Sequence, residues 1–181
     1  MKRKIKITRR TDPRKLAAEI ADLARNDLVN KPECYSFFLL ALGLGLRATE
    51  IPLIRWCDLS HDSMEVPFAD PVRDPELPKT RTVPVEPDVL TDLESLRPEG
   101  VNPQDYLVTC VTSTHIVRTQ RHLPLCREAF KELTRWLREL GLPPRPIEML
   151  RKLYGFKILS GDEPDSFTRA ANFLGLKEEG N

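Results

Sequence analysis

A chain of 181 residues, 40% hydrophobic, can bury one core and is too short for several; its 30% of charged residues nearly cancel to a net +1, so a single soluble globular domain is expected. The near-neutral balance, with a pI near 7.7, lacks the strong basicity of many nucleic-acid modules. The longest apolar run, Phe37 to Leu42, is too short to cross a bilayer, so neither a membrane span nor a membrane partner is expected and a cytoplasmic location is.

The charge is unevenly spread. Lys2, Arg3, Lys4, Lys6, Arg9 and Arg10 crowd the first residues, whereas Asp62, Glu65, Asp70, Asp74 and Glu76 gather between His61 and Pro78. The basic arm, residues 1–11, is either a solvated tail or a strip that lies along a phosphate backbone through residues such as Arg9 and Arg10. Asp12 then caps a helix with Pro13 at its first position, and Leu16, Ile20 and Leu23 recur at helical spacing as far as Asn26. Pro32 restarts the chain into a second helix, mostly large and apolar from Tyr35 to Leu46, which Gly43 and Gly45 bring to an abrupt end. Arg47 follows at once, and Leu53, Ile51, Ile54 and Trp56 suggest a further amphipathic helix of a turn or two. A guanidinium at such a corner offers a planar fork of donors suited to phosphate, or it pairs with Glu50.

Five prolines between Ser60 and Val85 exclude helix. Ser63–Phe68 and Thr80–Val85 are fit for strands, and the segment between them reads as a long acidic hairpin tip with Lys79 at its end. Pro87–Leu96 is a short helix with Val89, Leu90 and Leu93 facing inward. Tyr106–Val111 is β-like, and a polar loop with His115 and His122 follows, neither histidine having a metal partner nearby. Leu125–Leu140 is the clearest helix, with Phe130, Leu133, Leu137 and Leu140 as its core stripe, Gly141 as its stop, and Arg127, Lys131, Arg135 and Arg138 on one flank. After the spacer PPRP a last predicted helix carries Glu148, Leu150, Arg151, Leu153 and Tyr154. Leu133 and Leu137 should pack on Leu150 and Leu153. The four cysteines, Cys34, Cys57, Cys110 and Cys126, form no C-x-x-C pair, so reduced core thiols are expected, with no zinc site, no disulfide framework and no cofactor.

Two of these stretches resemble boxes of the tyrosine recombinases, the phage-integrase family. Gly45, Leu46, Arg47, Glu50, Ile51, Trp56, Asp58 and Leu59 look like the first catalytic box. Glu148, Arg151, Tyr154, Gly161, Leu174, Gly175 and Leu176 are similar in order to the second, in which H-x-x-R opens a helix and L-G-H ends another. The resemblance runs from the first helix to the end. It implies a mainly α fold with a small antiparallel β-sheet, one catalytic domain over residues 1–181 with no separate core-binding domain, and duplex DNA as partner.

In that family a tyrosine hydroxyl attacks the scissile phosphate, two arginines hold its non-bridging oxygens, and histidines with a lysine move protons without a metal. Arg47 and Arg151 match the arginines, and Lys79 in PKTRTVPV resembles the lysine or its neighbour. Glu148 and Leu176 stand where the two histidines belong, Tyr154 matches a buried aromatic and not the nucleophile, and the tail KEEGN supplies no tyrosine. The expectation is a DNA-binding, integrase-like protein of the recombination class without independent strand cleavage. Three alternatives stay open: a helical module that acts on a recombinase or another protein partner, a truncated active recombinase, and an enzyme given its tyrosine in trans.

Overall fold

The computed structural model describes residues 4, 5, 7, 12–67, 80–108 and 126–159. These residues build five α-helices and one two-stranded antiparallel sheet. The first helix, α1 (Pro13–Asp27), starts as the sequence directs: Asp12 Oδ1 accepts from the Arg14 N–H at 2.9 Å, and Leu16, Ile20 and Ala24 form the buried stripe. The second, α2 (Pro32–Gly43), is apolar all round because neighbours cover it on several sides, and Cys34 through Ala41 are all buried. It contacts α1, α3 (Pro87–Ser95), α4 (Arg127–Glu139) and α5 (Pro146–Leu159). Hence α2 is the central rod of the fold.

The predicted helix after Arg47 does not form. Two 3₁₀ turns, Ile51–Leu53 and Trp56–Asp58, stand there instead, separated by extended backbone at Ile54. Pro52 has no N–H to give to an α-helix, and the burial of Ile51, Ile54 and Trp56 makes up for the lost backbone regularity. The strands are β1 (Ser63–Pro67) and β2 (Thr80–Pro84), paired with Met64 opposite Val83 and Val66 opposite Arg81. The acidic hairpin tip, with Lys79, lies outside the described residues. The expected strand at Tyr106–Val111 shrinks to a single bridge, Arg55 with Tyr106, beside a Leu107 N–H to Ile54 C=O bond of 2.8 Å. Its partner chain turns into the second 3₁₀ segment at Trp56, so the ladder has nothing further to pair with; residues 109–111 lie outside the described residues.

Within α4 the core face is Ala129, Leu133, Trp136 and Leu137, and Leu140 follows, buried, at the C-cap; Phe130, expected in this stripe, is 38% exposed. Its ring instead meets Phe37 edge-on at 6.0 Å, at the rim of the core. Trp136 takes the inward place, edge-on to Phe38 at 6.1 Å and donating its indole N–H to Asp27 Oδ2 at 2.9 Å. The basic flank of α4 faces solvent, with Lys131 paired to Glu128 at 3.2 Å. Leu133, Leu137, Leu150 and Leu153 do share one core, although α5 leans on α1 and α2 as well as on α4.

Part of the N-terminal arm is also built in. Ile5 is buried and its N–H donates to Leu140 C=O at 2.8 Å, which satisfies a carbonyl at the end of α4. Gly141, at φ +96, lets the chain turn there, and a Cβ on it would meet Ile5 O at 3.0 Å. Arg9 and Arg10 lie outside the described residues. Cys34 and Cys126 are buried free thiols as expected; Cys57 is exposed, which corrects its assignment to the core, and Cys110 lies outside the described residues. Among the described residues, no helix is long and apolar enough to cross a membrane.

Candidate functional site

The end of α2 fixes the site. Gly45 takes φ +60, a conformation that an L side chain rarely adopts, and the Leu46 N–H reaches back to Leu40 C=O at 3.0 Å. The reversal frees Gly45 C=O, which accepts from Arg151 Nε at 3.2 Å, so a turn after α2 anchors a side chain from α5. Arg47 opens the next turn: its carbonyl accepts from the N–H groups of Glu50 at 2.9 Å and Ile51 at 3.1 Å.

Glu50, 1% exposed, is the centre of the arrangement. Its Oε2 accepts from the Arg47 backbone N–H at 2.8 Å and from Arg81 Nη2 at 2.9 Å. A buried carboxylate is tolerated only with such partners, and here they clamp β2 onto the Arg47 turn. The side chain paired with Glu50 is therefore that of Arg81 and not that of Arg47. Among the described residues, no hydrogen bond or ion pair engages the Arg47 guanidinium, which is exposed.

Arg151 is half-buried, and burial pushes its guanidinium below the ordinary arginine value; Arg47 pushes the same way, Glu50 opposes, Arg81 adds to the lowering, and Glu148 opposes. Those influences identify its neighbours. The two arginines singled out in the sequence thus lie within electrostatic reach of each other, and the fold adds a third, Arg81, that sequence reasoning passed over. All three stay charged, because arginine is not deprotonated in proteins. A signal for Arg81 was present: in TRTVPV it alternates with exposed Thr80 and Thr82 and shares the inward row of Val83, and an inward arginine requires a buried carboxylate.

Glu148, on the first turn of α5, is half-exposed and sits 3.8 Å from both Arg145 and Lys152. Tyr154 is 5% exposed, packed in the core as expected of a buried aromatic. Lys79, Leu176, His115 and His122 lie outside the described residues. Other basic groups are committed elsewhere: Arg55 lies 4.9 Å over the Tyr106 ring and donates to Gln104 O at 3.1 Å, and Arg97 lies 5.2 Å over Trp56. Among the described residues no group of three histidine, cysteine or acidic side chains is placed to hold a metal. A groove of about 390 Å³ opens on the far flank of the Arg47 turn, walled by Phe37, Ala48, Pro52, Cys126 and Phe130 with Arg127 and Lys131, and none of the three clustered arginines lines it.

No family model and no curated protein matches the chain in sequence. In structure the chain is similar to the crystal structure of XerA recombinase, with a TM-score of 0.59 and 15% identity over 95% of this chain. The chain spans 57% of that protein's length. The likeness establishes the fold: mainly helical, with a small antiparallel sheet, of recombinase-like architecture.

Proposed function

We propose that the chain binds the phosphate backbone of duplex DNA through Arg47, Arg81 and Arg151, as a protein of the recombination and integration class, and does not itself cleave the strand. The observation that carries this reading is the convergence of the three arginines around buried Glu50, from three separate elements of a recombinase-like fold. The Arg81 and Arg151 guanidiniums are held by hydrogen bonds to Glu50 and Gly45, and the Arg47 backbone is held by Glu50, so the cluster is partly preorganised for phosphate oxygens. Arg47 is the most exposed of the three, Arg81 and Arg151 are partly buried, and Lys79, Arg9 and Arg10 are further proposed contacts. Contacts of this kind supply affinity without base readout.

Cleavage needs an attacking group and a proton carrier in addition to charge. Glu148 and Leu176 occupy the positions at which the resemblance calls for histidines. A leucine carries no titratable proton, and a carboxylate beside a phosphate repels it. The experiment is a nicked suicide duplex that would trap any covalent phosphotyrosine adduct on a denaturing gel, run beside a native mobility shift. A salt-sensitive shift without an adduct is expected. An adduct overturns the non-cleaving reading, and the absence of both transfers the weight to a protein-interaction module, for which the net charge of +1 is the supporting feature.

A further inference from the structure

The inference rests on the reading of the arginine cluster as a phosphate site. We propose that Glu148 is a competing anion built into that site: its carboxylate weakens phosphate binding and sets the salt range over which the chain releases DNA.

The two glutamates of the cluster are held in different ways. Glu50 is buried and grips two donors at 2.8 and 2.9 Å, so it is a structural counter-ion. Glu148 keeps a side chain 48% exposed, and its contacts with Arg145 and Lys152, both 3.8 Å, are longer than charge-assisted hydrogen bonds. Those partners are themselves 85% and 61% exposed, and pairs of that kind hold a carboxylate only weakly. Glu148 stands three positions before Arg151 on α5, which puts them on one side of the helix, and its charge acts on Arg151 against that of Arg47. The segment that delivers it is fixed: Arg145, between Pro144 and Pro146, takes φ +62 and ends the loop where α5 starts. Of the two glutamates that act on Arg151 among the described residues, Glu50 is buried and Glu148 is exposed, so Glu148 can be neutralised without opening the core.

The test is a fluorescence anisotropy titration of short duplex DNA with the wild-type chain, Glu148→Gln, Glu148→Ala, Glu99→Gln, Arg47→Ala and Arg151→Ala. Glu99→Gln makes the same change in net charge on an exposed loop. Glu148→Gln should tighten binding on the order of fivefold at ~0.05 M salt, with the gain falling below about twofold at ~0.3 M as the screening length contracts. Glu148→Ala should do the same, and Glu99→Gln should stay within about twofold of wild type. Lys152→Ala should weaken binding more in the wild-type background than in Glu148→Gln, because it exposes the carboxylate only where one is present.

If Arg47→Ala and Arg151→Ala weaken binding while both Glu148 variants match Glu99→Gln, the competing-anion role is overturned and the phosphate site stands. If no variant binds at low salt, or the arginine variants bind like wild type, the phosphate reading fails and the role of Glu148 fails with it.

Discussion

Replacing Glu50 by alanine takes the acceptor from two donors at once, the backbone N–H of the Arg47 turn and the guanidinium of Arg81 on β2, whose side chain is only 20% exposed. Removing one partner of a largely buried pair costs about 2–4 kcal/mol once the remaining exposure is allowed for. Urea melts of Glu50→Ala should show that loss, and a change under about 0.5 kcal/mol would mean that the clamp is not structural. Cys34 allows a pH test at the opposite end of α2. Burial raises its thiol from 9.0 to about 12, so the folded chain keeps a proton that the unfolded chain sheds. Its stabilising contribution is therefore complete below about 9 and is lost as pH rises toward about 12. Cys34→Ala should flatten that alkaline fall in stability, measured by urea melts at successive pH values, while an unchanged slope would place the titration elsewhere. At this scale the motifs singled out Arg47 and Arg151, which the fold brings within electrostatic reach of each other. Arg81 was not legible, because a charged residue in a short strand reads as surface until its inward row is traced to the one buried carboxylate among the described residues.

Among elements, the helices were legible where local signals agree with packing. Asp12 and Pro13 open α1, glycine ends α2, and in α4 Leu133 and Leu137 fall on the core face. Leu137, 0% exposed, should cost about 2–5 kcal/mol when cut to alanine. Phe130→Ala should cost less, since solvent already reaches that ring, and a reversal of this order in denaturant melts would contradict the observed face of α4. The register missed there has a simple source: the Trp136 ring packs inward while its N–H still reaches Asp27 at the exposed end of α1, and Phe130 is left at the rim. The stretch with Ile51, Leu53, Ile54 and Trp56 was read as a helix of a turn or two because its apolar residues have helical spacing, which does not weigh the proline at position 52. The bridge at Tyr106 depends wholly on a distant partner, Arg55, and no local pattern encodes it.

At the scale of the whole molecule, the order of motifs foretold a mainly helical, recombinase-like fold, and the similarity to XerA recombinase bears that class out. Net charge pointed the other way, because a near-neutral total hides a local concentration: the fold gathers arginines from three elements that composition averages against the acidic residues between His61 and Pro78. The anchoring of Ile5 to the end of α4 was equally hidden, since a basic arm reads as solvated until one apolar side chain is seen to be buried. The central claim is that this gathered charge meets a phosphate backbone. Its most direct test is the salt dependence of duplex DNA binding by the wild-type chain, Arg47→Ala and Arg151→Ala. A steep linear fall of log affinity with log salt is expected, with a slope shallower by about 0.9 for each arginine removed. Binding that ignores salt, or arginine variants with the parent's slope and affinity, would contradict it.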